Sequence, residues 1–326
     1  MTKSQQIGRE VAKKAYIQLT TPAQRATFSA ITGSFAGMVS AITGLGGAVV
    51  FVPALSRLGF NAKDIIGTTV AAVTGATAAG SLAYAQKGVT DLPCAITVGF
   101  AGACSTPIGQ QFAKHISGPQ MRRMLGGALI LCAPSVLIKK TKDDTYEPTE
   151  QEIKEKERIR KALLDNGIMS SAPDSKGHFQ QPTGNVYEIV RQQFMERYYK
   201  HNGNWFDVLY NEREYVYLGI AVGLIQGTVG IGGGVLVTSY LSAETDMEVH
   251  RIAATALMCT LLTNIAVGAQ HYAAGNIKLR TASILAGCAM GCSYFTARNI
   301  ALDIPETGVR AFIASALLAS GVSMLK

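Results

Sequence analysis

Long apolar stretches recur on both sides of a polar segment in this chain. They cover residues 65–86, 91–114, 124–138, 252–275, 281–297 and 308–325. A transmembrane helix needs about 20 mainly apolar residues. A surface helix of a soluble protein carries a charged face, whereas these stretches carry Ala, Gly, Ser and Thr, which let membrane helices approach closely. The pattern predicts an all-α, polytopic membrane helix bundle surrounded by a lipid bilayer.

Charged residues are concentrated between the two apolar blocks. Of all charged residues, 27 lie within residues 139–214, eight within residues 29–138 and eleven within residues 215–326. This segregation predicts a basic amphipathic arm at residues 1–28, a membrane block at 29–138, a polar insert at 139–214 and a second membrane block at 215–326. The stretch KEKERIRKALLD predicts a helix within the insert.

The formal net charge of +8 is best explained by membrane topology. Basic residues that flank apolar spans set their orientation, and five precede the first span: Lys3, Arg9, Lys13, Lys14 and Arg25. Because no basic patch with interleaved aromatic residues occurs, we expect no nucleic-acid partner. The arm is also poor in acidic residues, which suits a mitochondrial presequence or a helix lying on the membrane surface.

Residue types that carry catalysis or bind metals are scattered along the chain. The histidines and cysteines show no metal-ligand spacing, and neither a phosphate-binding loop nor a Ser-His-Asp arrangement is present. All six cysteines lie in the apolar blocks, where small packing residues are expected. We therefore expect no enzymatic activity, no metal and no cofactor.

One glycine pattern occurs twice in the sequence. Residues 33–47 and residues 219–233 both read GxxxGxxxxxxGxGG. Chance would not keep five glycines in register, so residues 29–138 and 215–326 are predicted to be two homologous repeats. The spacing of Gly33 and Gly37 is typical of closely crossing membrane helices.

The glycine clusters at residues 44–48 and 230–234 are predicted to interrupt their helices. Each glycine weakens a helix by about 1 kcal/mol relative to alanine, so each apolar run is expected to form a hairpin of two half-helices. Paired interrupted segments in two repeats mark the binding site of many transporters, because broken backbone inside a membrane must line a cavity or be buried in protein. The alternative interpretation is that these glycines only allow close helix crossing.

Charge also predicts that the two repeats are inverted. If the first hairpin returns to the side it entered from, the basic N-terminus shares that side with Arg57, Lys63, Lys114, Arg122 and Arg123. The positive-inside rule prefers this arrangement. The second repeat is then inverted relative to the first, as in many transporters, and the insert lies on the opposite side.

Two further motifs accompany the glycine clusters: GTT at residues 67–69 and GVTD at residues 88–91. With these motifs and its twofold repetition, the chain resembles the TauE/SafE family of sulfite and organosulfonate exporters. The resemblance covers residues 30–138 and 215–326. It implies a secondary transporter of small sulfur oxyanions or related carboxylates. The chain departs from the family pattern in its long insert and in Lys278, which stands where the first repeat has an aspartate.

A site for such an anion needs positive potential and close approach to the backbone. Half-helix N-termini supply both through free N–H groups and the helix dipole. Hydroxyl and amide groups in the spans could add donors, although threonines in membrane helices often bond to their own backbone. The predicted substrate-binding residues are Gly44, Gly46, Gly47, Thr68, Thr69, Gly230, Gly232, Gly233, Thr255 and Asn264.

His271 is the candidate for proton coupling. Histidine titrates near neutral pH, and ionisable residues inside membranes are functional candidates. Asn264 lies seven residues earlier and therefore on the same helix face. If Gly275 ends this helix, His271 lies instead at the membrane interface.

Two functions remain open from the sequence. The first is a secondary transporter that exports or exchanges a small anion such as sulfite, sulfonate or a related oxyanion. The second is an accessory subunit of a larger complex, such as one of the mitochondrial inner membrane, with other subunits contacting residues 1–28 and 139–214. The expected location is a mitochondrial inner membrane or a bacterial-type plasma membrane.

Overall fold

The computed structural model describes residues 21–113, 150–168 and 186–325, except 202, 231, 232 and 246, together with isolated positions between 114 and 149. Over these residues the all-α prediction is confirmed, with twelve α-helices, one 3-10 turn and no strand. The helices are α1 Pro22–Thr43, α2 Ala48–Arg57, α3 Ala62–Gln86, α4 Leu92–Ala113, α5 Glu150–Asp165, α6 Val186–Lys200, α7 Trp205–Asn211, α8 Arg213–Val229, α9 Gly234–Glu244, α10 Val249–Ala273, α11 Leu279–Asn299 and α12 Glu306–Leu325.

Four of the described helices are long and apolar enough to cross a membrane: α1, α4, α10 and residues 63–86 of α3. The stretches predicted at 281–297 and 308–325 fall within α11 and α12. The stretch at 124–138 lies almost entirely outside the described residues, as does the N-terminal arm up to residue 20. The helix predicted from KEKERIRKALLD is α5.

Glycines bring two helix pairs into close contact. In the α1–α11 pair, a Cβ on Gly33 would lie 2.7 Å from the Leu285 carbonyl oxygen, and one on Gly37 would overlap the backbone of Ala289. In the α8–α4 pair, a Cβ on Gly223 would overlap the carbonyl of Gly102. The close helix crossing predicted for the GxxxG spacing is thus confirmed.

Replacing Gly223 with Leu should destabilise the bundle by about 1–3 kcal/mol or more, because a side chain there forces α8 away from α4. Gly291→Leu is the matched control, since a Cβ on Gly291 meets no atom within 4 Å. Thermal unfolding in detergent measures the difference. Equal melting temperatures for the two variants would contradict this account of the α8–α4 contact.

Helices α3 and α10 run antiparallel in the centre of the bundle. The start of α3 lies against the end of α10, where Asp64 pairs with Lys278 at 3.2 Å. The residues after α3 lie against the start of α10, where Asp91 pairs with Arg251 at 3.3 Å. We call these the Asp64 end and the Asp91 end of the bundle.

The insert helix α6 lies at the Asp91 end. The Gln193 side chain accepts a hydrogen bond from the Leu92 backbone N–H at 2.9 Å and donates one to the Thr90 carbonyl at 2.8 Å. Arg197, one turn further along α6, donates to the Asp91 carboxylate at 2.7 Å. These contacts fix α6 against the start of α4.

Candidate functional site

Both glycine clusters coincide with an interruption between helices. Helix α1 ends before Gly44, and Gly44, Gly46 and Gly47 have φ of 74°, 77° and 75° before α2 begins. Helix α8 ends before Gly230, which has φ of 69°, and α9 begins at Gly234. Residues other than glycine rarely adopt such positive φ. The predicted site residue Gly232 lies outside the described residues.

The starts of α2 and α9 meet at one position of α10. A Cβ on Gly46 would lie 3.3 Å from Cγ2 of Thr260, and a Cβ on Gly234 would lie 2.8 Å from Oγ1 of the same threonine. A Cβ on Gly234 would also overlap the Gly44 carbonyl. Two helix N-termini therefore converge in the buried centre, and each carries roughly half a positive charge. We call this region the cradle.

An amide pair lies beside the cradle. Gln226 is fully buried at the end of α8, and its Oε1 accepts a hydrogen bond from the Gly233 N–H at 3.1 Å. Its Nε2 donates to Oδ1 of Asn264 at 2.5 Å. Asn264 is only 1% exposed, and its Nδ2 has no hydrogen-bond partner. The start of α9 is thus surrounded by uncharged polar groups.

Hydroxyl groups complete the surroundings of the cradle. Thr260 donates to the Ala256 carbonyl at 2.7 Å, and Thr77, which lies near Gly46, donates to the Val73 carbonyl at 2.8 Å. A hydroxyl that donates its hydrogen bond to a carbonyl of its own helix still has free lone pairs. These threonines can therefore accept a hydrogen bond from a ligand but do not donate one. Among the groups named here, backbone and amide N–H groups are therefore the donors that face an anion.

Most of the chain matches one family model. The model for the sulfite exporter TauE/SafE matches residues 29–324, which includes the insert. The chain belongs to the TauE/SafE family. No curated protein and no solved structure matches the chain. The resemblance predicted from the glycine and threonine motifs is confirmed by the family match.

TauE/SafE membership carries three consequences for this protein. It is an integral, multi-pass membrane protein, in agreement with the apolar helices. Its family transports sulfur-containing anions across membranes. Family members are transporters, which argues against an enzyme.

Thr68 and Thr255 of this TauE/SafE protein lie at opposite ends of the bundle and away from the cradle. The Thr68 hydroxyl accepts a hydrogen bond from the Lys278 backbone N–H at 3.2 Å. The Thr255 hydroxyl accepts one from the Asp91 backbone N–H at 3.0 Å. Each threonine therefore holds a loop of the other membrane block. Thr69, next in sequence to Thr68, is buried, and its hydroxyl has no partner.

His271 lies in the last turn of α10, about 10 Å along the helix from Asn264. Its Nδ1 is 3.4 Å from the Asn276 side-chain amide. Its Nε2 is buried without a partner. Gly275, with φ of 70°, follows the end of α10. The imidazole therefore lies at the Asp64 end rather than in the cradle.

A cavity of about 600 Å³ is also present at the Asp64 end. It lies between the first turns of α1 and α11 and the turn after α2, with Arg25, Ser29, Phe60 and Arg280 among its lining residues. Its lining thus carries two arginine side chains.

Gln226, Thr260 and Thr263, whose Oγ1 would lie 3.8 Å from a Cβ on Gly233, were not among the predicted site residues of this TauE/SafE chain. Gln226 is the one amide within the apolar run of α8, and it stands seven residues before Gly233. Thr260, Thr263 and Asn264 share one face of α10 by their i, i+3, i+4 spacing. That shared face is the sequence signal that could have identified them.

Proposed function

We propose that this TauE/SafE protein is a secondary transporter that exports or exchanges a small anion such as sulfite, sulfonate or a related oxyanion. The observation that carries the proposal is the convergence of the α2 and α9 N-termini beside Thr260. Helix N-termini bind anions through backbone N–H groups and the helix dipole. The polar groups described around the cradle are uncharged, so an anion is attracted there without being held too tightly to leave.

We further propose that residues 29–138 and 215–326 are inverted repeats, between the arm at residues 1–28 and the insert at 139–214. Support comes from the antiparallel α3 and α10, and from the reciprocal pairing of α1 with α11 and of α8 with α4. The hydrogen bonds of Thr68 and Thr255 to the opposite loops are reciprocal as well. Inverted repeats around a central site allow alternating access.

The two ion pairs at the bundle ends fit the same proposal. Asp64 and Asp91 of the first repeat pair with Lys278 and Arg251 of the second. Under the repeat alignment, Asp64 corresponds to Arg251 and Asp91 to Lys278. Lys278, which departs from the family pattern, therefore has the opposite charge to Asp91 of the first repeat and pairs with Asp64. Each pair joins the repeats at one membrane face.

We also propose that His271 couples transport to protons. Replacing it with Asn keeps a polar side chain but removes titration near neutral pH. An imposed proton gradient should then stimulate sulfite uptake by the wild-type protein but not by His271→Asn. Without a gradient, the uptake rate of His271→Asn should stay within about twofold of the wild-type rate. Proteoliposome uptake with and without the gradient measures this. Equal stimulation of both proteins would rule out His271.

A second candidate function is an accessory subunit of a larger membrane complex. The observation that favours it is the exposed aromatic surface of the insert, where Phe206, Tyr210 and Trp205 of α7 are half or more exposed. Aromatic residues are enriched at protein interfaces and equally at membrane interfaces. The transport assay separates the two functions.

The purified protein in proteoliposomes provides that assay. The transporter proposal predicts saturable uptake of radiolabelled sulfite that an organosulfonate inhibits. Empty liposomes provide the background rate, and chloride provides the competition control. Uptake equal to the empty-liposome background over pH 5–8 would refute transport and leave the accessory role.

A further inference from the structure

Gln226 fills the space in front of the first N–H groups of α9. Its side chain is fully buried, and Oε1 accepts the Gly233 N–H at 3.1 Å. A Cβ on Gly233 would lie 2.8 Å from the same oxygen. One of the N–H groups that an anion would use at this helix terminus, that of Gly233, is therefore taken by a neutral carbonyl oxygen.

Asn264 provides a second and independent observation. Its Oδ1 accepts a hydrogen bond from Nε2 of Gln226, while its Nδ2 has no partner, although the residue is only 1% exposed. Buried side-chain donors are nearly always hydrogen-bonded, and an unsatisfied one costs free energy. An oxygen atom placed near Asn264 would satisfy this donor.

We infer that the Gln226 carbonyl stands in for an anion oxygen when the cradle is empty, and that the arriving oxyanion displaces it. The anion then accepts hydrogen bonds from Gly233 N–H and from Nδ2 of Asn264. This inference rests on the proposed transport function. It assigns Gln226 the role of a specificity-determining residue, because a ligand must bind the α9 N-terminus better than a neutral amide does. Charged oxyanions meet that condition, since hydrogen bonds to charged groups are stronger than neutral ones.

Two substitutions of Gln226 test the displacement. Gln226→Met removes the competing oxygen at similar side-chain length, so the KM for sulfite should fall by about fivefold, the effect of one neutral hydrogen bond. Gln226→Glu keeps an acceptor for Gly233 but places a negative charge beside the anion, so uptake should fall at least about 100-fold. Gln86→Glu adds the same charge at an exposed position at the end of α3, where Gln86 Oε1 accepts from the Tyr294 hydroxyl, and should keep uptake within about twofold.

Sulfite uptake by the wild-type protein is measured first, because its absence would refute the transport proposal rather than this inference. Given wild-type uptake, an unchanged or higher KM for Gln226→Met overturns the displacement. If Gln226→Met fails to fold, Gln226→Glu provides the test instead. We then expect Gln226→Glu to lose sulfite uptake while its melting temperature in detergent stays near that of wild type. Retained uptake by Gln226→Glu overturns the inference.

A separate set of contacts concerns the insert. The Asp91 side chain is only 6% exposed and pairs with Arg197 of α6 as well as with Arg251 of α10. Arg197 also pairs with Glu212, just before α8. Burial lowers the pKa of Arg197, but the Asp91 and Glu212 carboxylates outweigh burial and raise it overall. Arg197 therefore stays charged and holds three elements together.

The two ends differ in the burial of their carboxylates. The Asp64 side chain is 16% exposed and the Asp91 side chain 6%, whereas Lys278 and Arg251 are similarly exposed at 48% and 45%. The cavity lined by Arg25 and Arg280 lies at the Asp64 end. We infer that the contacts of α6 with Thr90, Asp91 and Leu92 hold the Asp91 end closed. The insert would then set the direction from which the anion first enters.

Cysteine accessibility tests this role of α6. In a Cys104→Ser background, a cysteine replacing the buried Thr90 should react with a membrane-impermeant thiol reagent at least about tenfold faster when Arg197→Gln is also present. Arg191→Gln, on the exposed side of α6, is the control and should leave the rate unchanged. An equal rate for Arg197→Gln and Arg191→Gln overturns the inference. If Arg197→Gln fails to fold, Gln193→Ala is used in its place with the same two outcomes.

Discussion

Replacing Gly46 with Leu is expected to reduce sulfite uptake to below about 1% of the wild-type rate. Gly46 has φ of 77°, which costs a residue with a Cβ about 1–2 kcal/mol. A Cβ there would lie 2.9 Å from Val73 and 3.3 Å from Thr260, so a leucine fills the space between the α2 and α9 N-termini. Backbone N–H groups can then no longer approach an anion. Uptake into proteoliposomes measures the loss.

The control for Gly46→Leu must carry the same backbone strain without blocking the cradle. Gly275 has φ of 70°, and a Cβ on it meets no atom within 4 Å. Gly275→Leu should therefore lose a similar amount of stability but keep most of its uptake. If Gly46→Leu transports sulfite as fast as Gly275→Leu, the anion does not bind between the two helix N-termini.

Replacing Asn264 with Asp is expected to weaken sulfite binding strongly. The substitution removes a buried donor and places a negative charge beside the anion. At about 4 Å and an effective dielectric constant of about 20, that repulsion is about 4 kcal/mol, or roughly 1,000-fold in affinity. Asn264→Ala adds no charge but removes the donor together with the oxygen that accepts from Gln226 Nε2, and it should cost about 1.5–3 kcal/mol. Sulfite affinity from the thermal shift in detergent measures both.

Asn299→Asp provides the matched control for Asn264→Asp. Asn299 is exposed at the end of α11 and bonds to the Phe295 carbonyl, remote from the cradle. Its replacement should leave sulfite affinity within about twofold of wild type. An equally small loss of sulfite affinity in Asn264→Asp and Asn299→Asp would show that the anion binds away from α10.

Local backbone chemistry explains why the helix interruptions could be predicted. Three glycines in four positions disfavour a helix at any point in a fold, and Gly44 and Gly46 adopt positive φ. The crossing at Gly33 and Gly37 was predictable for a similar reason, because the spacing alone puts both glycines on one helix face. Both features depend on residues close together in sequence.

The contacts of Thr68, Thr255 and Gln226 depend on segments far apart in sequence. A threonine in a membrane helix can bond its own helix, a substrate or a distant loop, and only the fold places Lys278 N–H beside Thr68. Gln226 is a lone amide in an apolar helix, but only the fold brings the Gly233 N–H onto its oxygen. The same holds for the insert, since nothing local to Arg197 predicts its pairing with Asp91.

The most direct test of anion binding is an experimental structure of the protein with a bromine-bearing sulfonate, whose anomalous signal locates the ligand. We expect one peak between the starts of α2 and α9, beside Thr260 and Asn264, with the Gln226 side chain displaced from Gly233. A peak confined to the cavity lined by Arg25 and Arg280, with Gln226 still bonded to Gly233, would contradict this expectation.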